Sequence, residues 1–165
     1  MLNSQTQTTL TAKFPQLAWS EFRGDARAVV PRGELFSALE YLRHQLGFDM
    51  LADITCVDYL NYRDAESRFG LVYLLTNTDT NERVTLRVFV DEPDLTVPSA
   101  VPLWPGADWM EREVFDMFGI RFEGHPDMRR ILMPEEFTAY PLRKDYPLQG
   151  RGERHNFPVL HRADG

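Results

Sequence analysis

The period of the apolar positions changes several times along the chain. Met1 to Lys13 shows no period; it is polar and rich in Thr and Gln, and it reads as a flexible, frayed terminus. Leu17 to Phe22 alternates weakly, as a first strand would. Gly24-Asp25 reads as a turn, and Ala28-Val29-Val30 as a short second strand ended by Pro31. Leu35, Leu39, Leu42 and Leu46 then fall on one stripe, with Phe36 beside it, which predicts a helix over 34–46 stopped by Gly47.

Strands dominate the next stretch. Met50 to Tyr59 alternates, which puts Ala52, Ile54 and Cys56 on one face and Leu51, Asp53, Thr55 and Val57 on the other. Phe69 to Thr76 is nearly all apolar, the pattern of a central strand covered on both faces. Asn77 to Asn81 is a turn cluster and Arg83 to Val90 alternates cleanly, so these two strands form an antiparallel hairpin. Ser99 to Phe118 reads as one broken or two short helices, interrupted by Pro102 and Pro105. Met110, Val114, Met117 and Phe118 form the stripe of the second, and Gly119 is its stop. Arg129 to Met133 is the last candidate strand. The predicted order, β-β-α-β-β-β-α and then an irregular tail, is that of an α+β fold: a mixed or antiparallel sheet with helices packed on one side. The expected divisions are a flexible terminus at 1–13, an α+β domain at 14–133 and a long extended C-terminal tail at 134–165. Pro126, Pro134, Pro141, Pro147 and Pro158, five of the eleven prolines, fall in the last 40 residues and make that stretch irregular.

Composition narrows the function. The 165 residues are 43% hydrophobic and 26% charged, as in an ordinary globular domain with a real core. No apolar run approaches the length that spans a bilayer, and no signal peptide opens the chain; a cytoplasmic location is expected, with any membrane link made through a partner. One cysteine, Cys56, excludes an internal disulfide and cluster ligation by this chain alone. His44, His125, His155 and His161 lack zinc-ligand spacing. The net charge is -7, but residues 141–165 carry five basic and three acidic side chains. An acidic body repels phosphate backbones, so nucleic acid is not the expected partner, although Arg151, Arg154 and Arg162 with His155 and His161 raise RNA as an alternative.

Three segments carry candidate chemistry. In Glu111-Arg112-Glu113-Val114-Phe115-Asp116, Glu113 and Asp116 are three apart on a helix and share a face. Such carboxylates serve acid–base work or a metal. The plainer reading is a solvated face, and a third is a clamp on the chain's own Arg129, Arg130 or Arg143. His125 and Asp127 in Gly124-His125-Pro126-Asp127 form a candidate catalytic pair, or simply a turn. Arg129-Arg130 is a weak phosphate signal without a glycine-rich cradle, and "PLRKDYPL" (141–148) places three charges and a tyrosine between prolines.

Together these segments are more specific than any one of them. Glu111-Arg112-Glu113…Asp116-Met117-Phe118-Gly119-Ile120, Gly124-His125-Pro126-Asp127, Arg129-Arg130-Ile131-Leu132 and Pro141-Leu142-Arg143-Lys144-Asp145-Tyr146-Pro147 resemble, in order and spacing, the signature of the C subunit of proton-pumping NADH–quinone oxidoreductase, the 30-kDa subunit family of complex I. Asp53-Ile54-Thr55…Asp58-Tyr59 resembles the family more loosely. The resemblance implies a non-catalytic structural and assembly subunit of the hydrophilic arm. It implies a peripheral place on the cytoplasmic side of the bacterial membrane, without direct membrane insertion. FMN and iron–sulfur clusters, which pass electrons from NADH to quinone (such as ubiquinone), would sit in partner subunits, and this chain would bind none. The D subunit of that complex is the implied chief partner, with the B and I subunits nearby, and the tail is expected to wrap it. Arg143, Lys144 and Asp145 would form interface ion pairs and Tyr146 an anchor. Related subunits occur in membrane-bound hydrogenases, which gives the alternative assignment; a free-standing His/Asp enzyme is a second.

Overall fold

Residues 2–153 are described by the structure, a computed structural model. Five strands form the main sheet: β1 (Ala18–Phe22), β2 (Asp25–Val29), β3 (Met50–Asp58), β4 (Phe69–Thr76) and β5 (Arg83–Val90). Their order is β1-β2-β5-β4-β3. All neighbours are antiparallel except β2 and β5, because helix α2 (Leu35–His44) carries the chain across between β2 and β3. The expected α+β class and one-sided helical layer are both present. Helices α1 (Ser4–Lys13), α2 and α3 (Ala107–Phe118) contribute Leu10, Leu39 and Val114 to one core with Phe69, Leu71, Tyr73 and Leu75 of β4.

The pairing shows why β4 is nearly all apolar. Phe69, Leu71, Tyr73 and Leu75 lie opposite Val90, Val88, Leu86 and Val84 and are buried. The alternate residues Val72 and Leu74 face the other side, which no helix of the described chain covers, and Leu74 is 38% exposed. The strand is central, but only one face is sealed; the expectation of cover on both faces is corrected. The face assignment in β3 is corrected as well. A bulge between Leu51 and Asp53 shifts the register, so Leu51 joins Ile54 and Cys56 on the core side and Ala52 is exposed. Cys56 is buried, and burial pushes its thiol up to about 12.

Three further differences lie outside the sheet. Residues 4–13 are helical rather than frayed. Asn3 accepts from the Gln5 amide (3.0 Å), the Asn3 amide donates to Glu82 (2.7 Å), and Trp19 Nε1 donates to Thr11 Oγ1 (2.8 Å). Leu10 is fully buried and Phe14 packs edge-on against Tyr41 at 5.8 Å. Few apolar side chains carry this helix, so its sequence shows no period; tertiary contacts hold it. Residues 99–106, the first part of the expected helical region, form turns rather than a helix, and just before them β6 (Thr96–Pro98) pairs in parallel with β7 (Arg121–Glu123). Residues 129–133 form no strand, because their amides are bonded to a side chain of α3 instead. Leu10→Ala should lower unfolding free energy by about 2–5 kcal/mol in urea titrations; a loss under about 0.5 kcal/mol would mean that the N-terminal helix is not docked.

Candidate functional site

Helix α3 buries two carboxylates, against the rule that acidic side chains stay in water. Glu111 is fully buried and accepts from Ser99 Oγ (2.7 Å) and the Ala100 amide (2.6 Å), which fixes the turn after β6. Burial pushes its carboxyl up to about 7, against the two hydrogen bonds that favour the charged form. Asp116 is also fully buried. Its Oδ2 accepts from the amides of Ile131 (3.0 Å), Leu132 (2.7 Å) and Met133 (2.8 Å), and its Oδ1 from Arg130 Nη1 (2.6 Å). Burial acts to raise this carboxyl, but the three amides and the guanidinium outweigh it and hold it below the ordinary range.

The side chain of Glu113 is exposed, so Glu113 and Asp116 do not form a carboxylate pair. The helix face at 111 and 116 is not solvated either. For Asp116 the clamp is the reading the geometry supports, with Arg130 as its partner. Arg130 Nη2 reaches on to the Ala139 carbonyl (3.1 Å), and Arg112 donates to the carbonyls of Arg129 (3.1 Å) and Arg130 (3.2 Å). Two arginines and one aspartate thus fasten residues 129–139 to α3.

The "PLRKDYPL" segment is fastened next. Gly119 ends α3 with φ of 79°, and a Cβ there would sit 2.6 Å from the Tyr140 ring and 2.8 Å from Arg143. Through that gap Arg143 Nε donates to the Phe118 carbonyl (2.6 Å), one of the unpaired carbonyls at the helix end, and Nη1 to Glu92 (2.9 Å). The Lys144 amide donates to Asp58 at the end of β3 (2.8 Å). Arg68 bonds Asp58 through Nε and Nη2 and pairs with Asp145 at 3.0 Å. The Asp58 carboxylate is drawn up by burial but held low by Arg68 and the Lys144 and Leu60 amides. Tyr146 packs against Phe137 with ring centres 5.8 Å apart.

Of the tail residues expected at an interface, Arg143 and Asp145 pair within the chain. Tyr146 is half-buried against it, and only the Lys144 side chain stands free among the four. Arg143 and Asp145 thus already have ion-pair partners within the chain. Residues 154–165, the rest of the expected strap and the RNA candidates Arg154, His155, His161 and Arg162, lie outside the described residues. Sequence reasoning missed Arg68 and Glu92, which sit in unremarkable loop stretches; their roles come from tail residues that contact them across long separations.

Gly124-His125-Pro126-Asp127 is a turn. His125 Nδ1 accepts from the Asp127 amide (3.0 Å), so Nε2 carries the proton and faces the Asp108 carbonyl (3.2 Å) and carboxylate (3.3 Å). Asp127 pairs with Arg129 at 2.6 Å on the surface. Both imidazole nitrogens are engaged, and no nucleophile adjoins them among the described residues. Nor does any group of three or more potential metal ligands occur among the described residues, and no helix among them is long and apolar enough to cross a membrane.

The profile of the family described as "Respiratory-chain NADH dehydrogenase, 30 Kd subunit" matches residues 28–152, which takes in β3, β4, β5, α3 and the clasped tail. The chain belongs to this family. Its similarity to the C subunit of the NADH-quinone oxidoreductase of Trichlorobacter lovleyi is 47% identity over 130 residues, 79% of each chain. The solved trypsin-resistant fragment (1–134) of Nqo5 superposes with a TM-score of 0.69 at 35% identity, over 74% of this chain and 96% of the fragment. A chain of the membrane-bound sulfane sulfur reductase, an archaeal respiratory membrane complex, superposes with a TM-score of 0.76 at 26% identity, over 98% of this chain and 94% of that one. In this 30-kDa-type protein Asp116, Arg130 and Arg143 of these motifs build an internal clasp.

The two buried carboxylates respond differently to substitution. Asp116→Ala leaves three amides and Arg130 without their acceptor and should cost about 3–5 kcal/mol in chemical unfolding. It should also make residues 129–148 sensitive to protease. Glu111 has a raised folded pKa, so its contribution is fully present below its unfolded value of 4.5 and is lost as pH rises through about 7. That loss is on the order of 3 kcal/mol. Glu111→Gln should therefore flatten the dependence of Tm on pH between about 5 and 8 relative to the parent; parallel curves would contradict it.

Proposed function

We propose that the chain serves as the C subunit of a proton-translocating NADH–quinone oxidoreductase, in the hydrophilic arm on the cytoplasmic side of the membrane. Its role is scaffolding: it carries no active site and holds no flavin, cluster or quinone, while partner subunits pass electrons from NADH to quinone. The D subunit is the chief neighbour, with the B and I subunits nearby. The observation that carries this reading is that the family's most specific residues are spent on shaping the tail. A clasp that fixes residues 129–146 against α3 and β3 has a mechanical use and no evident chemical one. The 47% identity to a C subunit of the NADH-linked enzyme, against 26% to the chain of the sulfane sulfur reductase, favours the NADH-linked complex over another energy-converting relative.

The clasp changes what the docking surface is made of. With Arg143 and Asp145 paired internally, apolar groups stand outward beside Lys144: Leu132 is 60% exposed, Leu142 51% and Leu148 fully exposed, while Trp109 on α3 is 63% exposed beneath Arg112. Exposed leucines on a stiff, pre-shaped segment fit an interface held by apolar anchors, and the internal bonds lower the entropy lost on docking.

Leu142→Asp combined with Leu148→Asp tests this. The variant should keep its Tm within about 3 °C, because both side chains point outward. It should nevertheless fall at least about ten-fold in the amount recovered with the D subunit on native gels or by pull-down. Normal recovery of a folded variant would refute docking through this segment.

A further inference from the structure

The sheet has a second face, opposite the helices, and it is unevenly charged. Its residues can be read from the register. Across the middle run Ser20, Arg27, Thr85, Leu74 and Asp53 in one row, and Ala18, Val29, Arg87, Val72 and Thr55 in the next. Phe22, Met50 and Leu74, 49%, 48% and 38% exposed, are the most exposed large apolar side chains there, and with Val72 they leave apolar surface on a face that no helix of the described residues covers.

The arginines of this face are placed unlike those of the clasp. Among the described residues, the arginines in ion pairs with carboxylates are Arg32, Arg68, Arg129, Arg130 and Arg143. Arg27 and Arg87 are diagonal neighbours on adjacent strands and pair with none, in a chain of net charge -7. Each is instead laid on aromatic rings. Arg27 stands 4.4 Å over Phe22, and Arg87 stands 5.2 Å over Phe89 and donates to the Tyr59 hydroxyl. Asp25 and Asp53, at the margins of the face, do not reach them.

The ground under Arg87 is shaped. Gly70 lies opposite Phe89, and a Cβ there would come within 2.9 Å of both the Phe89 and Tyr59 rings, so glycine lets the rings close over the strand. Beside them opens a cleft of about 410 Å³ lined by Tyr59, Tyr62, Asp64, Glu66, Arg87 and Phe89; neither of its two carboxylates forms an ion pair with Arg87. Guanidinium groups held over rings, with donors to spare and no ion-paired carboxylate, are arranged to receive carboxylates from outside.

We propose that this open sheet face is a second docking surface, which takes an acidic amphipathic segment of a partner polypeptide: its apolar side against Phe22, Val72 and Leu74, and its carboxylates on Arg27 and Arg87. Charge complementarity selects that occupant. A second copy of this chain would bring like arginines together, since a two-fold contact apposes the same patch. The surface does not depend on which complex the protein joins, and it lies opposite the clasped tail.

The test uses the full chain expressed in its own cells, with a photo-crosslinking residue at Leu74 and, as a control, at Glu40 on the outer side of α2. The Leu74 position should cross-link to one segment of another polypeptide, and sequencing of that segment by mass spectrometry should show several Asp or Glu among apolar residues. Arg27→Glu with Arg87→Glu should lower the yield at least about five-fold, whereas Arg27→Lys with Arg87→Lys should hold it within about two-fold. If the charge-reversed chain fails to fold, the parent supplies the same reading: its yield should fall as salt is raised from about 0.05 to 0.5 M. Cross-links to a second copy, to lipid or to a segment without acids would overturn the proposal. So would an absence of cross-links, or a yield indifferent to both charge reversal and salt. Persistence of the cross-link in the Leu142→Asp, Leu148→Asp variant would separate this surface from the tail's.

Discussion

The Asp116 carboxylate is the point on which the C-terminal third of the described chain depends. A buried, unpaired carboxylate is costly, and the chain resolves that cost by bringing three consecutive amides and a guanidinium to it. The segment that supplies those donors is thereby prevented from joining a sheet. It turns instead across the end of α3, and this places Arg143 at the helix's terminal carbonyls and the Lys144 amide at Asp58. Each later contact lies within reach because the earlier one has set the path.

This arrangement separates two uses of charge. Inside the clasp, opposite charges are consumed locally: Asp58 with Arg68, Asp116 with Arg130, Glu92 with Arg143. They shape the segment and leave its leucines outward. On the open sheet face, arginines are left without carboxylates and are stacked on rings. Stiffness in one place and availability in the other are both what a protein that works by contact requires. The electrostatics of the chain are therefore not described by its net charge, which is acidic while the uncovered sheet face presents cations.

Much of the fold was legible in the residues. β4 and β5 fall at the boundaries their apolar runs predict, α2 follows its leucine stripe, and the one-sided helical layer follows from the element order. The misreadings share a physical cause. Helix α1 has almost no apolar period because Leu10 and a few polar bonds anchor it. The bulge in β3 inserts one residue and reverses the faces before it. Residues 129–133 carry strand-like side chains, yet their amides were claimed by a carboxylate 15 to 17 positions away.

The sequence by itself determined the class of the protein, the positions of its central hairpin and the family to which its Glu111–Asp116, Gly124–Asp127 and Pro141–Pro147 segments point. It left open whether those charges serve catalysis, solvent or partners. Only the tertiary structure decided that Asp116 faces Arg130, that Arg143 and Asp145 find ion-pair partners within the chain and that Arg27 and Arg87 do not find a carboxylate. Period and propensity act over a few neighbouring residues, whereas the partner of a buried charge is fixed by which distant segments the packed core brings within hydrogen-bonding distance.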